Sequence, residues 1–161
     1  METDENWMSC AIAAAAVQPS IECIQMLDVP IGCVIVHEGK QIATAQNSRQ
    51  AQNDPVGHAE ILALRQAAAI LKNWRLLDCT VYVTLEPCAM CAEAMIQSRV
   101  KRVVFGAYDS IAGAAGSRFN LFVKREAVLV PEVSGGICEA QCRTLIQDFF
   151  RTRRLQNLQR K

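Results

Sequence analysis

Two short strings combine residue types that can do chemistry together, His58-Ala59-Glu60 and Pro87-Cys88-Ala89-Met90-Cys91. Cys88 and Cys91 lie three apart, a spacing that on a helix brings both sulfurs to one face, where they can share a metal ion. At a helix N-terminus the free amides and the dipole lower thiol pKa and favour the thiolate that ligates zinc. His58 offers a third donor and leaves one tetrahedral position open, as in catalytic rather than structural zinc sites. Zinc suits a mixture of sulfur and imidazole, and in an open site it brings the pKa of bound water down to about 7. Hydrolysis also needs a proton for the leaving group, and Glu60 is the carboxylate placed to carry it. Residues two apart do not share a helix face, so His58 and Glu60 converge only if His58 lies at or before the first turn. The turn signal Asp54-Pro55-Val56-Gly57 just upstream allows that placement.

A rival use of the sulfurs exists. Cys138 and Cys142, four apart near the C-terminus, would with Cys88 and Cys91 make a closed four-thiolate structural site, but that leaves His58 and Glu60 without a role. His37, next to a turn, reads as a surface residue. The chain has eight cysteines, at 10, 23, 33, 79, 88, 91, 138 and 142. A secreted small domain would use an even count as disulfides, but the opening Met1-Glu2-Thr3-Asp4-Glu5 lacks the basic start of an export signal. The expectation is reduced thiols in a cytoplasmic protein.

The elements that must hold these residues follow from periodicity and turn chemistry. Residues 5–17 read as a helix, and 20–28 as a second short one before Val29-Pro30. Residues 31–36 form a β-branched run that turns through His37-Glu38-Gly39-Lys40 into a partner strand at 41–45. Ile61, Leu62, Leu64, Ala68 and Leu71 recur at helical spacing to about residue 72. Residues 80–84 read as a strand, Pro87 as the opening of the next helix, 100–106 and 127–130 as two more strands, and 139–155 as the closing helix. Strands and helices alternate after the hairpin, which predicts an α/β fold: one partly parallel sheet with helices on both faces.

At 161 residues and 51% apolar, the chain is expected to form a single domain, residues 1–161, with its own core. Its longest early apolar stretch, 11–17, is too short to cross a bilayer, so no membrane partner is expected. The net charge of +1 hides a split. Residues 1–97 carry 5 Lys/Arg against 11 Asp/Glu, and residues 98–161 carry 12 against 5. Near the end, Phe149-Phe150-Arg151-Thr152-Arg153-Arg154 sets two aromatics against three arginines, a composition suited to stacking bases and neutralising phosphates. The plainer reading is an amphipathic terminal helix that buries Leu145, Phe149 and Phe150.

A His-x-Glu followed by Pro-Cys-x-x-Cys after a strand is the signature of zinc deaminases, in which the glutamate works as acid and base without binding the metal. The sequence resembles the cytidine deaminase superfamily, and within it the bacterial tRNA-specific adenosine deaminases. The resemblance rests on Val29-Pro30-Ile31-Gly32, Asn47, Asp54-Pro55, His58-Ala59-Glu60-Ile61 and Ala63-Leu64-Arg65, then on Tyr82-Val83-Thr84-Leu85-Glu86-Pro87-Cys88-Ala89-Met90-Cys91 and Ser98-Arg99. Further on, Val103-Val104-Phe105-Gly106-Ala107, Asp109, Gly113-Ala114-Ala115-Gly116-Ser117 and Asp148-Phe149-Phe150-Arg151 point to the tRNA-acting branch. The chain departs from the family at Val56-Gly57, where Thr-Ala is usual, and around Pro19-Ser20.

The resemblance implies a three-layer α/β/α sandwich around a five-stranded mixed sheet, one zinc ion per subunit and a homodimer. It implies His58, Cys88 and Cys91 as zinc ligands and Glu60 as proton shuttle. By the same token Asn47 hydrogen-bonds the target nucleoside, Asp109 contacts the nucleotide backbone, and Phe150 and Arg151 touch a tRNA anticodon stem-loop. The implied reaction converts the wobble adenosine to inosine. Two other readings stay open: a deaminase of a free base or nucleotide, of guanine or cytosine type, and a zinc-binding module that docks RNA without catalysis.

Overall fold

The computed structural model describes residues 2–17 and 27–159. Among these residues the order is α1 (Asp4–Ala16), β1 (Gly32–His37), β2 (Lys40–Gln46), α2 (Arg49–Gln52), α3 (Ala59–Leu71) and β3 (Cys79–Leu85). Then follow α4 (Ala89–Gln97), β4 (Arg102–Ala107), β5 (Glu132–Gly135) and α5 (Glu139–Gln159).

The strands form one sheet in the order β2-β1-β3-β4-β5. The first two make the expected hairpin, closed by Glu38 and Gly39, both at positive φ (49° and 71°), as a tight turn that matches strand twist requires. β1 pairs antiparallel with β3, whereas β3, β4 and β5 run parallel. A sheet covered on both sides needs strands apolar on both sides. The central strands comply, since Val34, Ile35, Val81, Val83, Val103 and Val104 are all fully buried.

Alternate residues feed two cores. Cys33, Ile35, Val81, Val83, Val103 and Phe105 pack against α3 and α4 through Ala59, Ala63, Leu64, Ala67 and Met95. Val34, Val36, Tyr82 and Val104 pack on the opposite face, against Met8 and Ala11 of α1 and Cys142 of α5. The result is the expected three-layer α/β/α arrangement. In α1, Thr3 caps the N-terminus by accepting from the Asn6 N–H (3.4 Å). Its face of Met8, Ala11 and Ala15 lies so close to β1 that any side chain at Gly32 would strike the Ala11 carbonyl oxygen. Arg102 of β4 donates both terminal nitrogens to the Asp4 carboxylate (2.7 Å each), and Asp4 also accepts from the Tyr82 hydroxyl (2.9 Å).

Two expectations need correction, and one short helix was not anticipated. The fifth strand is Glu132–Gly135, not 127–130. Ala127 takes a left-handed φ of 58° in a turn that bridges Arg125 and Val128, and extended pairing with β4 starts only after Pro131. Pro87 stands outside its helix, because Cys88 takes the N-cap position with extended backbone. The short helix α2 escaped the reading of hydrophobic period because it buries no residue. The helix expected at 20–28 falls mostly outside the described residues, and Leu27 and Asp28 are not helical.

Candidate active site

Two helices begin at the carboxyl end of the sheet's parallel part, and each begins on a residue with a metal-binding side chain. His58 is the N-cap of α3 (φ −76°, ψ 147°) and Cys88 the N-cap of α4 (φ −71°, ψ 171°). Neither side chain is spent on a side-chain cap bond, and the two turn toward each other. The His58 Nδ1 lies 3.7 Å from the Cys88 Sγ and 3.5 Å from the Sγ of Cys91, one turn into α4. The three donor atoms lie within 4.8 Å of one another, and no other such cluster occurs among the described residues. Because His58 sits on the cap, Glu60 two residues later reaches the same end of the helix, as the upstream turn allowed.

The cluster is strongly polarised. A hydrogen bond from Cys91, joined by His58, holds the Cys88 thiol down at about 4 against its burial. The reciprocal bond to Cys88, together with burial, pushes Cys91 up. Contact with Cys88 raises His58 above its ordinary value, although burial pulls the other way. One sulfur is thus biased toward the thiolate, beside an imidazole nitrogen and a second sulfur at two helix N-termini. This donor set fits zinc.

Glu60 is 4% exposed, and its Oε2 has no hydrogen-bond partner among the described residues. Burial pushes its carboxyl up, against its own backbone amide and the neighbouring His58. An orphaned, buried carboxylate oxygen is costly, and it is the kind of group an active site retains to handle a proton. Cys138 and Cys142 join no such cluster. Cys142 packs under Gly106 in the opposite core with Cys138 beside it, so the four-thiolate site does not form. The seven described cysteines are free thiols; Cys23 lies outside the described residues.

His58, Glu60 and Cys88 open into a cavity of about 820 Å³, within the size range of small-ligand sites. Asn47, Asp109 and Phe150 line it as well. The Asn47 Oδ1 accepts from the Ala59 N–H (2.9 Å) and so ties the end of the hairpin to the start of α3. The Asp109 Oδ1 accepts from Ile111 and Ala112 (2.9 and 3.2 Å) and shapes its own loop. Phe149 is buried, while Phe150 is 39% exposed at the cavity, which splits the aromatic pair between core and site. Arg151 lies outside the cavity, its guanidinium on Asp148 at 2.8 Å.

Several lining residues had no role in the sequence reading. Arg143, Ile146 and Gln147 share one face of α5 with Phe150 and Arg153, which the aromatic and arginine run had already marked, and that period could have singled out Arg143. Asp28 accepts from the N–H groups of Gln50 and Ala51 (3.0 and 3.2 Å) and caps α2, which brings Arg49 to the rim. No local pattern announces a cap that comes from 22 residues away. Tyr108 adds an aromatic ring, edge-on to Phe105 at 5.1 Å.

Known proteins share this construction. Residues 1–107 match the family model for the cytidine and deoxycytidylate deaminase zinc-binding region. A tRNA-specific adenosine deaminase of Haemophilus influenzae is 41% identical over 95% of this chain and 86% of its own length. One from Bacillus subtilis is 40% identical over 94% of this chain and 91% of its own. A solved structure from work on A-to-I editing by tRNA:A34 deaminases, at the wobble position of transfer RNA, superposes with a TM-score of 0.78. That match is 35% identical and covers 87% of this chain and 98% of the other.

Proposed function

Since the chain belongs to the tRNA-specific adenosine deaminases of the cytidine and deoxycytidylate deaminase family, we propose that it hydrolyses the wobble adenosine of a tRNA anticodon to inosine, releasing ammonia. The observation that carries this reading is the buried, unpartnered Oε2 of Glu60 beside a His-Cys-Cys donor set at the floor of a cavity.

His58 Nδ1 and the sulfurs of Cys88 and Cys91 hold the zinc ion. Bound there, zinc supplies the Lewis acidity that makes water nucleophilic near neutral pH. Glu60 supplies the proton transfers. Its Oε2 takes one proton of the water that adds to C6 and passes it to the purine ring; the proton left on the new C6 hydroxyl then travels by the same carboxylate to the amine as the C6–N bond breaks, leaving the inosine carbonyl and ammonia. A carboxyl held above its ordinary range by burial suits a group that must gain and lose a proton in one cycle. The Asn47 side chain, steadied through its Oδ1, offers its amide nitrogen to the nucleoside. Asp109 faces the nucleotide backbone next to the target, and Phe150 gives a flanking base an aromatic surface. The adenosine lies in an unpaired loop, so extruding it costs less than from a duplex.

The working unit is a homodimer in the cytoplasm. Ile111, Phe119, Val123 and Leu129 are each at least half exposed along the segment that follows β4, and a second copy would cover them. No helix among the described residues is long and apolar enough to cross a membrane. The deciding experiment is mass analysis of tRNA after incubation with the purified protein. Inosine at the wobble position is expected; faster turnover of free guanine, cytosine or adenine than of an anticodon stem-loop overturns the assignment.

A further inference from the structure

β3 runs directly into Glu86, two residues before Cys88, and the Glu86 side chain is 2% exposed. It meets the loop that follows β4. The Glu86 Oε2 accepts from the Asp109 N–H at 3.0 Å, and Oε1 accepts from the N–H groups of Ala115 (2.9 Å) and Ser117 (3.0 Å). The main chain makes the same join, with the Ala114 N–H donating to the Pro87 carbonyl (2.8 Å) and Cys88 bridging to Gly113. At Gly113 a side chain would meet the Glu86 carboxylate at 2.5 Å, so only glycine lets the loop come this close. Tyr108 and Asp109 at the start of this loop line the same cavity as His58 and Glu60.

Resting on the deaminase reading above, we propose that Glu86 is a positioning residue: its carboxylate fastens the 109–117 loop, the substrate-facing wall of the cavity, to the start of the helix that bears Cys88 and Cys91. An apolar side chain would fill the same space without the cost of burying a charge. Only an anionic acceptor can gather three amides from separate points of one loop and fix their directions. The loop and the metal-binding helix start therefore share one anchor, and a substrate held by the loop is registered against Glu60.

Two variants test this, each leaving His58, Cys88 and Cys91 in place. Glu86→Gln keeps the size but replaces an acceptor oxygen with a donor, and Gly113→Ala keeps the carboxylate but pushes the loop away. For both, KM on an anticodon stem-loop RNA is expected to rise about tenfold, with kcat at saturation changed by less than about threefold. In Glu86→Gln the amides of Asp109, Ala115 and Ser117 should lose hydrogen-exchange protection, while those within β4 keep it, and zinc content should stay at one per chain. Retained protection of those three amides overturns the proposal. So does an unchanged KM accompanied only by a lower melting temperature or active fraction, the sign of a purely structural residue. If the wild-type protein forms no inosine, the substrate reading fails, while the exchange measurement still decides whether Glu86 fastens the loop.

Discussion

The floor of the cavity comes from two helix starts, whereas its rim is gathered from four separate parts of the chain. At the floor, His58 and Cys88 occupy equivalent N-cap positions, Cys91 sits one turn further on, and all three point at one spot. Backbone geometry shared by every α-helix sets their directions. At the rim, Asp28, Arg49, Tyr108, Asp109, Arg143, Phe150 and Arg153 meet because β4, the loop after it, α5 and the Asp28-capped α2 end at the same place. No single element dictates their spacing. The floor is therefore rigid and intolerant of change, and the rim is a set of separable contacts whose effects should be smaller and closer to additive.

Substitutions at the floor test the first half of that contrast. Cys91→Ala should lower the zinc content from one per chain to near zero and abolish turnover, as read by elemental analysis and inosine formation. Retention of zinc would show that Cys91 is not a ligand. Glu60→Gln should retain zinc and RNA affinity and lose about a thousandfold in kcat. A loss confined to KM would move Glu60 from proton transfer to binding.

At the rim the steps should be shallower. Phe150→Ala should weaken stem-loop binding about tenfold, the loss of one base stacked on an aromatic ring, and Phe150→Trp should restore it. Arg153→Ala should weaken binding a few-fold and make its salt dependence shallower by about one phosphate contact. Arg151→Ala should do less, because that guanidinium lies on Asp148 outside the cavity. Equal effects of the two would mean that RNA runs along the whole helix.

The same division explains what could be read from the residues alone. The clustering of His58, Cys88 and Cys91 beside Glu60 was legible because helix starts turn short spacings, two between His58 and Glu60 and three between the cysteines, into fixed geometry. The hairpin and the central strands were legible because β-branched runs and a Glu38-Gly39 turn leave few alternatives. The strand at 132–135 was missed because its neighbour 127–130 is the more apolar run, and a turn at Ala127 and then Pro131 hold that run out of the sheet. Arg143 and Asp28 were missed for a different reason: their roles depend on partners that only the topology brings near.

The smallest effect is expected far from the cavity, where α1 is pinned to the sheet, and it serves as the control for the contrast. The Arg102 guanidinium holds the Asp4 carboxyl below its usual range; burial opposes this, and the Tyr82 hydroxyl assists. A carboxylate depressed in the folded state adds stability above its unfolded pKa of about 3.9 and loses it as pH falls through the lower folded value. Tyr82 gives the alkaline limb. Burial and the Asp4 bond push its hydroxyl up to about 12, so the unfolded chain ionises first and stability falls as pH rises from about 10 toward that value. Arg102→Met should remove most of the acid limb and lower the melting temperature at pH 7 by about 3 °C, consistent with about 1 kcal/mol for a partly buried bidentate pair in a chain of this length. Tyr82→Phe should flatten the alkaline limb and trim only a minor part of the acid limb, because Arg102 remains the main group holding Asp4 down. Calorimetric melting between pH 3 and pH 11 separates the two, and kcat/KM at pH 7 should stay within about twofold for both, since neither residue lines the cavity. A larger loss of activity would show that the α1 face of the sheet is coupled to the floor, and the floor could then no longer be treated as a rigid unit set by its helix starts.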